Sequence, residues 1–84
     1  MYKLISCTDK HGIEKVEFMN ELREKHPNMM GELDIMDEVF LFYWNDDSEK
    51  MLKSSIIEKY EEIDGEECRI TTMNSIYEFV RVEE

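Results

Sequence analysis

The run Val39-Phe-Leu-Phe-Tyr-Trp44 is the strongest strand pattern in the sequence and decides the fold class. Its residues favour β-structure, and acidic residues bound the run, as is typical of a buried strand. Side chains alternate between the two faces of a strand, and here both faces are apolar. We expect a helix to cover one face and a partner or a second copy of the chain to cover the other. The two faces are Val39, Leu41, Tyr43 and Phe40, Phe42, Trp44.

Further strands are predicted on both sides of this run. Residues 2–7 predict a short strand with Leu4 and Cys7 near its inner face. Residues 66–72 and 76–82 predict two more strands, joined by a turn at Met73-Asn74-Ser75, where Asn and Ser bond readily to nearby backbone.

The stretch from Ser48 to Ile63 combines helical and strand features. Its apolar residues recur at helical spacing, and Asp47 or Ser48 can cap a helix there. Against a helix, Ser54-Ser-Ile-Ile57 favours a strand and Asp64-Gly65 is typical of a hairpin turn. We adopt the strand interpretation for residues 55–63, although residues 48–62 stay ambiguous between helix and strand.

One amphipathic helix is predicted over residues 13–25, with Thr8 or Asp9 as its N-terminal capping residue. Pro27 ends this helix, because a proline drives the preceding residue out of the α region. His11 and His26 lie beside the two helix ends and are predicted to be solvated capping groups. The apolar face consists of Val16, Phe18, Met19 and Leu22.

Residues 28–34 are predicted to form a loop, with Gly31 as its flexible point. Combined with the predicted strands and helix, this gives an α+β fold in which residues 1–84 form a single domain. One amphipathic helix packs on a mostly antiparallel sheet of about four to five strands.

The charge of the chain indicates its class of partner. The 84 residues include 21 Asp and Glu against 10 Lys and Arg, a net charge of −11. Such an excess opposes compaction, and solubility needs a net charge of only about 2–8. Since 42% of the residues are hydrophobic, the acids belong to a folded surface and not to a disordered chain. A basic protein partner is favoured, whereas nucleic acid and anionic membranes, which bind Lys and Arg, are disfavoured as direct ligands.

Four glutamates on the predicted helix recur at spacings of three and four residues, which places them within about 80° of arc. Neighbours in this stripe lie about 5–6 Å apart at Cβ, close to the spacing of phosphates along one strand of a nucleic acid. An ordinary solvated helix face is the alternative interpretation, as are wet, acid-rich turns for the other clusters. The predicted partner-binding residues are Glu14, Glu17, Glu21, Glu24, Asp46, Asp47, Glu61, Glu62, Asp64, Glu66 and Glu67, with Tyr43 or Trp44 as aromatic anchor.

Catalysis and metal binding find little support in the sequence. It contains no Gly-rich phosphate loop, Cys-x-x-Cys or nucleophile motif. Alignment of Gly65 with the EF-hand glycine puts Tyr60 and Thr71 at the first and last ligand positions, where neither can bind calcium. Buried thiols at Cys7 and Cys68 are favoured in a reducing cytosol, and a disulfide between them is the alternative. We therefore predict a cytoplasmic protein that is not an enzyme and has no cofactor or metal, with neither a signal peptide nor a membrane span.

In size, acidity and absence of catalytic motifs, the chain resembles small phage-encoded inhibitors of bacterial defence, the anti-CRISPR and DNA-mimic class. The resemblance is one of type and carries over no individual residue. It implies an inhibitor that occupies the basic groove of a nucleic-acid-binding protein, for example a CRISPR effector in the host cytoplasm. The alternative is a non-catalytic interaction or structural module, such as a homodimer formed through strand 39–44, whose acidity serves solubility.

Overall fold

The computed structural model describes residues 1–47 and 49–82, and within these the chain forms one helix and seven strands. The strands make one sheet in the order β4-β3-β2-β1-β7-β6-β5, and all neighbouring strands in it are antiparallel. One helix with an antiparallel sheet agrees with the α+β prediction. The elements are β1 (Tyr2–Thr8), α1 (Val16–Lys25), β2 (Met30–Met36), β3 (Val39–Trp44), β4 (Met51–Lys53), β5 (Ile57–Ile63), β6 (Glu67–Thr72) and β7 (Ile76–Arg81).

The sheet is rolled so that its two ends meet. β4 and β5 lie at opposite ends of the strand order, yet only residues 54–56 separate them in the chain. The connecting residues continue along β3, since the Ser54 N–H donates to the Phe40 carbonyl at 3.1 Å and the Ile57 N–H donates to the Glu38 carbonyl at 2.6 Å. One bent stretch of chain therefore pairs first with β3 and then with β6, and this closes the sheet.

An aromatic cluster fills the inside of the rolled sheet. The Phe40 ring meets the rings of Tyr77 and Phe79 edge-on, at centroid distances of 4.9 and 5.5 Å, and the Phe42 ring lies 5.0 Å from that of Phe79. β3 and β7 are separated by two strands in the sheet order, so these rings touch only because the sheet curls. Edge-on and tilted pairs of this kind add to the stability that burial provides.

The helix is shorter than predicted because Asp9 is used elsewhere. The Asp9 carboxylate accepts the N–H groups of His11 at 2.8 Å and Ile13 at 3.0 Å, and so closes a turn before the helix. The prediction that Thr8 or Asp9 caps the helix is therefore wrong, and Lys15 is the capping residue, without a side-chain hydrogen bond. The helix ends at Lys25, ahead of Pro27 as predicted.

The inner surface of α1 packs into the rolled sheet. Met19 is fully buried, and Phe18 and Leu22 pack against the core as half-buried side chains. Val16, which belongs to the predicted apolar face, is the first residue of the helix and is 54% exposed. The predicted face is thus confirmed at its centre and not at its first residue.

One prediction about the sheet is wrong. Residues 28–34 are not a loop, because β2 runs from Met30 to Met36, and Gly31 is a point of close strand contact instead of flexibility. The strand adopted for residues 55–63 is confirmed as β5, and the ambiguous stretch also contributes β4, while Ser48 itself lies outside the described residues. These additions raise the sheet from the predicted four to five strands to seven.

The other strand and turn predictions are confirmed. β3 has the predicted bounds, and β1, β6 and β7 match to within one residue at each end. The turn forms at Asp64-Gly65 as predicted, with positive φ of 54° and 72°, and residues 64–66 connect the paired Ile63 and Glu67. In the turn after β6, the Thr72 hydroxyl donates to the Ser75 carbonyl and accepts the Ser75 N–H, both at 3.1 Å.

Candidate functional site

The helix stripe consists of Glu17, Glu21 and Glu24, all exposed on α1 and within about 60° of arc. Glu14 does not belong to it, because Glu14 precedes the helix and forms an isolated bridge with Thr8. In the part of the chain that the structure describes, none of the three stripe carboxylates forms an ion pair. The stripe is therefore a short row of uncompensated negative charge.

Two of the other acidic clusters lie at the same end of the rolled sheet. Trp44 pairs with Gly31, Gly31 with Tyr2, and Tyr2 with Arg81. The Arg81 N–H in turn donates to the Glu66 carbonyl at 2.6 Å. The loop that follows β3 and the turn between β5 and β6 therefore lie at the same end of the sheet, with β2, β1 and β7 between them. We call this region the acidic end, and it contains Asp46, Asp47, Asp64, Glu66 and Glu67.

The helix terminates at the acidic end. His26, directly after α1, stacks on Trp44 with a ring-centroid distance of 4.1 Å and an interplanar angle of 4°. Its Nδ1 lies 2.6 Å from the Asp46 Oδ1. The stripe residue Glu24, in the last turn of α1, therefore adjoins this end, whereas Glu14, beside Thr8, lies at the far end of β1.

Some of the carboxylates in this region have a side-chain partner. Asp46 is bonded to His26, and the Glu61 carboxylate lies 3.7 Å from the Lys59 ammonium. A pocket of about 340 Å³ is lined by Lys25, His26, Asp47 and Lys50. In contrast, the turn acids form no ion pair within residues 1–47 and 49–82, and these are Asp64, Glu66 and Glu67.

The two predicted aromatic anchors differ in their exposure to solvent. Trp44 is only 3% exposed, because it packs between His26 and the edge of Phe42, so its prediction as a partner anchor is wrong. Tyr43 points to the outer face and is 37% exposed. It belongs to an outer apolar patch formed by Met36, Val39, Leu41, Tyr43 and Met51.

His26 is the residue whose environment the sequence does not reveal. The predicted solvated cap is 6% exposed and joins the helix end to the loop after β3 through Trp44 and Asp46. Its partners are 18 and 20 residues away in the sequence. No local spacing signals such contacts, because they form only when the helix folds back over the sheet.

The thiols of Cys7 and Cys68 are free and buried. Desolvation raises the pKa of both, which keeps them protonated and poorly nucleophilic. Among the residues that the structure describes, no group of three His, Cys, Asp or Glu side chains converges to hold a metal ion. Nor does this part of the chain contain a helix long and apolar enough to cross a membrane.

The titration of Tyr60, which lies in β5, can be measured by absorbance. Desolvation first, and then the neighbouring Cys68 and Glu62, raise the pKa of Tyr60 to about 12. Because the pKa is higher in the folded protein, this shift stabilises the folded state. The stabilisation is complete below the pKa of Tyr60 in the unfolded chain, about 10, and is lost as the pH rises through the pKa in the folded protein. We expect a tyrosinate absorbance step near pH 12 that Tyr60→Phe removes. An unchanged titration curve in that variant would contradict the assignment.

Comparison with protein-family models, with curated proteins and with solved structures found no match for this chain. Its function is therefore inferred from its own residues. The surfaces that carry this inference are the helix stripe, the acidic end and the outer apolar patch.

Proposed function

We propose that the protein is an acidic inhibitor that occupies a Lys/Arg-lined groove of a nucleic-acid-binding protein and excludes its substrate, in the manner of anti-CRISPR proteins. One observation supports the proposal: the unpaired carboxylates of the helix stripe lead to the end of the sheet that carries Asp46 and Asp47, and the unpaired turn acids lie at that same end. Such a protein acts in the cytoplasm where its target is found.

The dimensions of the protein suit this role. Its longest Cα extent is 29 Å, which corresponds to about eight base-pair steps of duplex DNA. Side-chain carboxylates on successive helical turns are about 5–6 Å apart at Cβ, on the scale of a phosphate backbone. A groove that binds a short nucleic-acid segment can therefore accommodate α1 and the acidic end together.

Strong salt dependence is the first expected property of the complex. Contacts between carboxylates and Lys or Arg are screened by ions, and complementary fields accelerate association. We expect affinity for the partner to fall by about 100-fold or more between about 50 and 200 mM salt, by analogy with nucleic-acid ligands. Host proteins that bind to the immobilised protein at low salt, a CRISPR effector among them, are identified. Each is then tested for whether the protein displaces a labelled oligonucleotide from it. Retention without displacement would contradict competitive inhibition.

The outer apolar patch favours a second candidate, an interaction module that forms a homodimer. β3 is flanked by β2 and β4, so a dimer through this strand must use its face and not its edge. Met36, Tyr43 and Met51 are 48, 37 and 53% exposed on that face. Such a dimer would persist at high salt in sedimentation experiments and dissociate in Tyr43→Lys. A monomer at all salt concentrations would exclude it.

A further inference from the structure

β2 is only partly paired on the side of β1. β1 pairs with it at two positions, Tyr2 with Gly31 and Lys3 with Met30, whereas β3 pairs with it from Gly31 to Met36. Among the described residues, 32–36 therefore have a neighbouring strand on one side only. An unpaired strand edge of this kind is a template for another extended chain.

Hydrogen bonds at the start of β2 show which backbone groups face the open side. The Met30 carbonyl accepts the Asn45 N–H at 2.8 Å on the β3 side, and the Met29 carbonyl accepts the Leu4 N–H at 2.9 Å on the β1 side. Backbone groups of successive residues point to opposite sides of a strand. Leu33 and Ile35 therefore face the same way as Met29. Each offers an N–H and a C=O to an added strand.

The side chains of this edge combine apolar and acidic character. Ile35 and Met36 are 45% and 48% exposed. Glu32 and Asp34 are exposed on the outer face, where they lie opposite Tyr43 and Leu41 of β3. The N-terminal ammonium lies 4.0 Å from the Glu32 carboxylate, whereas Asp34 forms no ion pair among the described residues.

A second copy of β2 would not fit this edge. In an antiparallel pair with Leu33 opposite Ile35 of the other copy, Asp34 lies opposite Asp34. With Leu33 opposite Leu33, Asp34 lies opposite Glu32. Like charges directly opposed across strands are destabilising, so both registers oppose self-pairing. With Ile35 opposite Ile35, only residues 34–36 of the two strands pair, because β2 ends at Met36.

The other long edge, β5, is less suited to an added strand. Its pairing with β6 is interrupted by an irregularity between Ile57 and Lys59. The Lys59 ammonium also lies 3.7 Å from the Glu61 carboxylate, so acid and base compensate each other along this strand. Bulges and charges of this kind protect a sheet edge from pairing.

We infer that the open edge of β2 receives an extended strand of the basic partner, in which Lys or Arg alternates with apolar residues. The basic side chains face Glu32 and Asp34, and the apolar ones pack beside Leu33 and Ile35. Backbone hydrogen bonds to Leu33 and Ile35 supply affinity, as in other cases of strand addition. The inference rests on the proposed function only in taking the partner to be basic.

A synthetic peptide tests the edge without any nucleic-acid-binding protein. The probe alternates Lys and Val and is blocked at both ends, and a Glu–Val peptide of equal length is its control. In NMR titrations at low salt, we expect shift changes centred on Leu33 and Ile35, slower amide exchange at both, and at least tenfold weaker binding of the control. Equal binding of the two peptides, or shifts centred elsewhere, would overturn the inference.

Ile35→Pro separates the open side of β2 from its paired side. The Ile35 N–H faces the open edge, where proline is tolerated, so we expect a folded protein with at least tenfold weaker peptide binding. Asp34→Pro is the contrasting variant, since it removes an N–H directed at β3 and is expected to disrupt the hairpin. Unchanged peptide binding in a folded Ile35→Pro protein would refute edge binding.

A charge variant gives an independent test if the proline variant does not fold. Glu32→Lys combined with Asp34→Lys is expected to reverse the preference in favour of the Glu–Val peptide. Reversal of charge at Glu17 and Glu21 of the helix stripe should leave peptide binding unchanged. Loss of the proposed function and loss of edge binding are therefore measured with different variants. A wild-type dimer that Ile35→Pro dissociates would overturn the inference in favour of self-pairing.

Discussion

Reversal of Glu17 and Glu21 to lysine is expected to weaken partner binding by about 100-fold while the protein stays folded. Each reversal replaces an attraction to a groove cation by a repulsion, and a loss of about 1.4 kcal/mol per site gives a factor of about ten. Both side chains are exposed, and neither forms an ion pair in the described part of the chain. Partner binding is measured by titration, and folding by circular dichroism and thermal unfolding.

The matched control reverses two glutamates outside the stripe and the acidic end. Glu14 adjoins Thr8 at the far end of β1, and Glu38 lies in the turn between β2 and β3. Glu14→Lys combined with Glu38→Lys changes the net charge by the same amount, so it reports the effect of the overall field. We expect a loss below about tenfold. Equal losses in the two double variants would show that total charge, and not the stripe, binds the partner.

The strands predicted from sequence are those with a dense local pattern. Residues 39–44 carry six β-favouring side chains in a row, and their bounds are confirmed. β2 has the sequence Met-Gly-Glu-Leu-Asp-Ile-Met, in which Glu32 to Ile35 alternate polar and apolar residues as a strand does, although glycine and acidic residues are disfavoured in strands. Its pairing with β3 and the tight turn between them form the strand, and neither is visible in a window of seven residues.

The sequence predicts the spacing of the glutamates in the helix stripe, but not which glutamates belong to it. The periodicity of the glutamates is correct on α1, yet Asp9 closes an earlier turn and leaves Glu14 outside the helix. That the stripe meets the loop after β3 depends on the stacking of His26 on Trp44, which are 18 residues apart in the sequence. Contacts between distant residues require the rolled sheet, and a single sequence does not encode them in any local pattern.

Closure of the sheet was also beyond a local prediction. Ser54 sits where the chain leaves β4, and its hydroxyl accepts the Phe40 N–H at 2.9 Å in place of a backbone partner. The sequence favours a strand around Ser54. A strand that pairs with one neighbour in its first half and with another in its second half has the same local sequence pattern as a strand with one neighbour throughout. The consequence is functional, since closure leaves few open edges, and the open part of β2 is therefore distinctive.

Gly31→Ala is expected to be among the most destabilising single substitutions in this protein. A Cβ at residue 31 would overlap the Tyr43 carbonyl oxygen and lie 2.9 Å from the Tyr43 carbonyl carbon and 3.2 Å from the Phe42 ring. Since two of these atoms are backbone, relief requires β2 and β3 to separate. Loss of this pairing also exposes part of the aromatic core, so we expect the free energy of unfolding to fall by about 4 kcal/mol or more.

Gly65→Asn is the control for a glycine substitution without overlap. Gly65 has a positive φ of 72°, and a Cβ there meets no atom within 4 Å. Asn tolerates this backbone region, so the cost should stay below about 1 kcal/mol. Urea unfolding of the two variants separates the effects. A Gly31→Ala protein as stable as the control would mean that β2 and β3 do not approach each other as closely as the structure shows, and the open edge of β2 would lose its basis.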